Sequence, residues 1–269
     1  MGKKNHTQVI PICCVVDSQE RYKLLNYTAF NGQFGCTFCE HPLEHVRKTG
    51  MRYGMLQNAP QVRTHESMKQ NMLDAHEENR RVKGCKGLSP LINLEYFDLA
   101  QGPVPDFLHY TEGVVSQHLN LILSKLSEED ILKISDRLLQ ISTPSAVTRM
   151  PRALKYREKF TASEWRGFLV IYGPVVMRGI VPDKYVTHFS LLSCAMHILL
   201  QKSITLPQLH YCDELLILYC IYFDKYFGLA KMTYNVHLLL HVVKGVLNHG
   251  PVWTHTWYPY EGKNKEILS

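Results

Sequence analysis

The chain has 269 residues, 45% hydrophobic and 20% charged, which is enough apolar material for one large or two small globular domains. This composition excludes a disordered tail, collagen and a coiled coil, and no apolar run nears the ~18 residues of a membrane span. A net charge of +6 and a pI near 8.8 permit a nucleic-acid partner without demonstrating one. No small-residue cleavage site follows the first apolar run, so no signal peptide is expected. The eight cysteines are unevenly used, which favours a reducing, intracellular setting over a disulfide framework.

Residues 9–16 form a β-branched apolar run, predicted to be a buried strand that delivers Asp17 at its end. Residues 26–64, rich in Gly, Asn, Pro and aromatics without a period, read as an irregular module around Cys36 and Cys39. A polar helix is predicted over 64–81, then a loop over 84–105 punctuated by Gly and Pro. From Asp106 onward the pattern is helical. The stripe over 107–126 is amphipathic, and Ser127 with three following acids opens the next helix. A helix start is expected near Ser163, with long helices over 182–201 and 207–227 and a last one over 234–247. The fold class is therefore mainly α with a small α/β part.

Two short motifs carry ligand chemistry. Cys36 and Cys39, spaced C-x-x-C, can chelate one zinc ion in a tight turn, but zinc wants four ligands. His237 and His241, at i and i+4 on one helix, can reach one ion together. Leu238 stands where a metalloprotease needs its glutamate base, so nothing here would activate a water. Together the four make a closed Cys2His2 set, which is structural rather than catalytic. Its ligands lie some 200 residues apart, so the ion is expected to clamp the ends of the helical part onto the rest. Asp17, Asp106 and Glu261 are isolated carboxylates at expected element ends; taken singly, each reads as a turn residue, a helix cap or a solvated acid. Arg149, Arg152, Lys155, Arg157 and Lys159 form a basic segment that fits either phosphate contacts or a solvated loop.

The order of these features along the chain matters. Asp17 precedes Cys36 by 19 positions, and His241 precedes Glu261 by 20. With Phe30-Asn31-Gly32-Gln33-Phe34-Gly35-Cys36-Thr37-Phe38-Cys39, Arg63-Thr64-His65-Glu66, Lys86 to Leu91, Val104 to His109, Asn235 to His241 and Pro259-Tyr260-Glu261-Gly262, the chain resembles CACTA (EnSpm, Tnp2-like) DDE transposases of animal type. The cysteine and histidine pairs also resemble the zinc site of Transib transposases and of the V(D)J recombinase catalytic subunit. The resemblance covers nearly the whole chain. It implies an incomplete RNase H-like core with a large helical insertion: a partial core over 1–35, a zinc-clamped insertion over 36–248, and the start of the Glu-bearing segment over 249–269. It implies structural Zn2+, and Mg2+ held for DNA strand transfer by Asp17 as second and Glu261 as third carboxylate. Asp106 and His109 would match a D-x-x-H positioning motif, and the basic segment would contact DNA. A rival assignment makes Asp17 the first carboxylate and Asp106 the second.

Only 16 residues precede Asp17, none of them acidic, and eight follow Glu261. The resemblance therefore implies a truncated or domesticated nuclear copy that alone neither cleaves nor joins DNA, with homo-oligomerisation left open. The alternative is a non-catalytic, zinc-stabilised module binding DNA or protein.

Overall fold

The computed structural model describes residues 10–142 and 150–256, without the side chains of 107–110. The fold is mainly helical, with two small sheets, and it divides into two compact units.

The first unit takes the described residues up to Leu43 together with Leu56–Pro105. Strand β1 (Cys14–Val16) pairs in parallel with the last strand of the unit (Pro103–Pro105), Cys14 opposite Pro103 and Val16 opposite Pro105. Parallel neighbours need a long crossover, here running from 17 to 102. Of the predicted strand over 9–16, the described residues form strand over three half-buried positions, and Ile10 and Ile12 are exposed. Prolines explain part of this: Pro11, Pro103 and Pro105 have no N–H to give to a ladder. Helix α1 (Ser18–Leu24) follows β1 directly. Helix α2 (His65–Glu77) starts at a reciprocal cap in which Ser67 N–H donates to Thr64 Oγ1 and Thr64 N–H donates to Ser67 Oγ. It buries Met68, Met72 and Ala75, one face at helical spacing.

The second unit takes Glu44–Met55 and the chain from Asp106 onward. An antiparallel hairpin, β2 (Glu44–Val46) and β3 (Gly50–Arg52), lies within the segment expected to be irregular. With these placed, the Pro103–Pro105 strand is β4. Helix α3 (Phe107–Leu123) is followed by α4 (Glu128–Gln140), whose Ser127 cap accepts from Asp130 N–H and whose first turn is acidic, as expected. Helix α5 (Ala162–Gly167) passes through a π-helical turn (Phe168–Tyr172) into α6 (Gly173–Met177). A Cβ on Gly173 would sit 2.8 Å from both Phe168 O and the Phe189 ring, so only glycine allows this close passage. Helices α7 (Asp183–Leu199) and α8 (Leu206–Phe227) pack along their lengths. The predicted last helix is broken into α9 (Tyr234–Leu238), a 3-10 turn (Leu239–His241) and α10 (Val242–His249).

A histidine pair sits inside this helical core. His118 Nδ1 bonds the Tyr219 hydroxyl at 2.9 Å, His188 Nε2 donates to the Tyr219 carbonyl at 2.9 Å, and the two rings are 4.6 Å apart. Phe189, Phe223 and Phe227 surround them. Burial holds His118 well below the usual imidazole range and pulls His188 down to about 4. Both are neutral when folded and take up protons near 6.5 when unfolded, so stability is full above that pH and falls as acid is added. The loss should approach ~1.4 kcal/mol per pH unit for each histidine between pH 6.5 and about 4. Urea unfolding at pH 7.5 and pH 5 should differ by several kcal/mol, and His188→Gln should flatten the slope. An equal midpoint at both pH values would refute this.

Candidate metal centre

The cysteine pair is shaped by a run of tight turns. Gly32 N–H donates to Ala29 O, and Gly35 N–H donates to Gly32 O. A Cβ on Gly35 would meet Ala29 O at 2.5 Å, so the turn that delivers Cys36 requires glycine. Past the turns, Arg63 N–H bonds Phe38 O and Glu40 N–H bonds Gln61 O, pinning the loop against 61–63. Each sulfur accepts a backbone N–H from two residues on: Phe38 N to Cys36 Sγ at 3.4 Å, and His41 N to Cys39 Sγ. Such bonds favour thiolates. Hydrogen bonding to Cys36 and then burial push the Cys39 thiol strongly up, with the charge of Arg63 acting weakly against them. Ionising both of these adjacent buried sulfurs therefore needs a cation to compensate the charge.

Beneath this loop lies Arg63, fully buried. Its Nε donates to Cys36 O at 3.0 Å and Cys39 O at 3.2 Å, its Nη2 donates to Lys83 O at 2.8 Å, and its plane lies over the Tyr27 ring. Tyr27 itself donates to Phe34 O and Lys83 O. Nothing in the sequence around Arg63 marks it as the support of a ligand loop.

The histidine pair is not carried on one continuous α-helix. His237 lies in α9, and His241 ends the 3-10 turn, a tightening that still leaves both rings on one side. Their Nε2 atoms are 3.2 Å apart. His237 is buried and stacks on Tyr53 at 4.6 Å; Tyr53 N–H donates to Met232 O, and Arg52 Nε donates to Ala230 O, so Tyr53, directly after β3, holds the ring's face. Tyr53 is the second supporting residue that spacing could not reveal.

One ligand atom from each of Cys36, Cys39, His237 and His241 lies within 4.8 Å of the others, with three of the residues buried and His241 half-buried. A tetrahedral zinc with bonds of about 2.1 and 2.3 Å has donor–donor edges of roughly 3.3–3.8 Å. The histidine pair, at 3.2 Å, falls just short of such an edge, and the widest separation exceeds one by about an ångström, within side-chain adjustment. The cluster can hold a metal ion, and its soft sulfur and imidazole donors suit zinc.

The carboxylates are placed differently from one another. Asp17 is exposed and caps α1, its Oδ1 accepting from Glu20 N–H at 2.8 Å. Asp106 is buried, directly after β4, and Thr256 Oγ1 approaches its Oδ1 to 3.5 Å. Each thus follows the final registered pair of the parallel strands, Val16 with Pro105. Glu261 and Arg149 lie outside the described residues, as does the side chain of His109. In the basic segment, Arg152 pairs with Glu164 and lies over Phe160, holding the Glu164 carboxyl down to about 2. Arg157 donates to Asn120 Oδ1 at 2.6 Å. Both arginines therefore have structural partners, whereas Lys155 and Lys159 are exposed.

No helix among the described residues is long and apolar enough to cross a membrane. No protein-family model, curated protein or solved structure matches the chain.

Proposed function

We propose that this chain derives from a CACTA-type DDE transposase and that its Cys2His2 cluster is a structural zinc site. The carrying observation is the cluster itself: ligands 198 positions apart in sequence, from Cys39 to His237, meet within 4.8 Å. Four protein donors close the shell, so zinc would fix structure and leave no position for a reacting water. In this reading the strand-transfer chemistry belonged to Mg2+ held by carboxylates, with one ion activating the attacking oxygen and the other stabilising the leaving one. The ends of the parallel strands β1 and β4, each followed by an aspartate, suit such a carboxylate site on an RNase H-like core. DNA is the partner, the nucleus the compartment, and among the described residues of the basic segment Lys155 and Lys159 are the exposed cations placed to meet phosphate.

The closed zinc shell also suits a module that only binds, and a cleavage assay tells a working carboxylate site from either inactive form. Because Asp17 caps α1, we expect the chain alone to bind DNA weakly and with strong salt dependence, without nicking it in Mg2+ or Mn2+. Asp17→Ala should cost about 1 kcal/mol through the lost cap, whereas Asp17→Asn keeps the cap and removes the charge. Mg2+-dependent nicking abolished by Asp17→Asn would show a working catalytic carboxylate and end the inactive reading. Nicking untouched by Asp17→Asn and Asp106→Asn would end the transposase-site assignment.

A further inference from the structure

The outer face of α8 carries an apolar stripe with a symmetry of its own. On its inner face Cys212, Leu215, Leu216, Tyr219, Cys220 and Phe223 are buried. On the opposite face Ile217, Leu218 and Ile221 are about two-fifths exposed (39%, 42% and 42%), unusual for three aliphatic side chains within five positions. Glu214 and Lys225, both exposed, bound this patch and make no ion pair among the described residues. Glu214, Leu218, Ile221 and Lys225 follow the i, i+4, i+7, i+11 spacing, a straight stripe about 16 Å long.

The chemistry reads the same from either end. A two-fold axis between positions 219 and 220 sets Glu214 opposite Lys225, Ile217 opposite Tyr222, and Leu218 opposite Ile221. We infer that this face of α8 pairs antiparallel with α8 of a second copy of the chain, burying the aliphatic patch between two Glu214–Lys225 bridges. The second copy is the occupant because the stripe is complementary to itself in this one orientation; a parallel arrangement would place like charges together. A single helix face buries less than the ~800 Å² per partner of a stable interface, so the dimer should be weak, with micromolar dissociation. This inference is independent of the transposase reading.

Sedimentation equilibrium of the full chain over a wide concentration range tests it. The unaltered chain should dimerise, and Leu218→Glu should leave it monomeric without changing its circular dichroism or thermal midpoint. Glu214→Lys and Lys225→Glu should each weaken the dimer at least about tenfold, by facing like charges. An equimolar mixture of these two variants should recover the unaltered affinity, because each bridge then regains opposite signs. A chain that stays monomeric up to about 1 mM, a dimer indifferent to Leu218→Glu, or charge variants that fail to complement each other would each overturn the inference.

Discussion

Zinc removal is expected to be the largest single loss this protein can suffer. Free energies of structural zinc sites run to about 10–16 kcal/mol, against a total stability of about 5–15 kcal/mol for a typical domain. Here one ion would join ligands separated by 198 positions, so the unfolded chain must close a very long loop to recreate the site. The purified chain should carry one zinc, and chelation should lower its thermal midpoint by well over ten degrees or unfold it outright, by roughly 5 kcal/mol or more. Cys36→Ser and Cys39→Ser should do the same, because both sulfurs are buried. His241→Ala should be milder, since that half-buried position lets water take the fourth place. Cobalt substitution should give thiolate charge-transfer bands that vanish in Cys36→Ser. Full stability in chelator, with no metal bound, would refute the site.

Nearly as large an effect is expected at Arg63, a residue that touches no metal. Its buried guanidinium holds the carbonyls of Cys36, Cys39 and Lys83 and faces Glu40 at 3.8 Å. Arg63→Met strands those acceptors and leaves Glu40 with Lys83 as its remaining ion pair. The expected cost is about 3–5 kcal/mol, as for breaking a buried charged network. Arg63→Lys should not rescue it, because a point charge cannot reproduce the planar fork. The loop it supports carries both sulfurs, so zinc affinity should also fall about 10–100-fold in competition with a chromophoric chelator. Unchanged urea midpoints and unchanged zinc affinity would show that the carbonyls find other donors and that Arg63 is dispensable.

Much of the local structure was legible one segment at a time. Thr64 with Ser67, and Ser127 with its acids, mark helix starts because a cap is a bond between residues three apart. The long helices α7 and α8 follow from apolar spacing for the same reason: the period of the helix is local. The C-x-x-C and H-x-x-x-H spacings picked out the four residues of the cluster, since each pair lies within about one turn of chain. What spacing could not decide is whether the pairs meet, and only the folded chain places their donors within 4.8 Å. Nor could it separate the two aspartates: Asp17 is spent on a helix cap in the open, while Asp106 is buried. The described part of the strand expected over 9–16 is short because its pairing depends on a partner 89 positions away that brings two prolines. Nor does spacing place the partners of Arg152 and Arg157, which are Glu164, 12 positions on, and Asn120, 37 positions back. Ligand identity, helix period and caps are set by bonds spanning a few residues, and the sequence determines them by itself. Burial, charge pairing and the assembly of the candidate metal centre depend on contacts beyond local spacing, from 12 positions for Arg152 with Glu164 to 198 for Cys39 with His237, and those the tertiary structure alone decided.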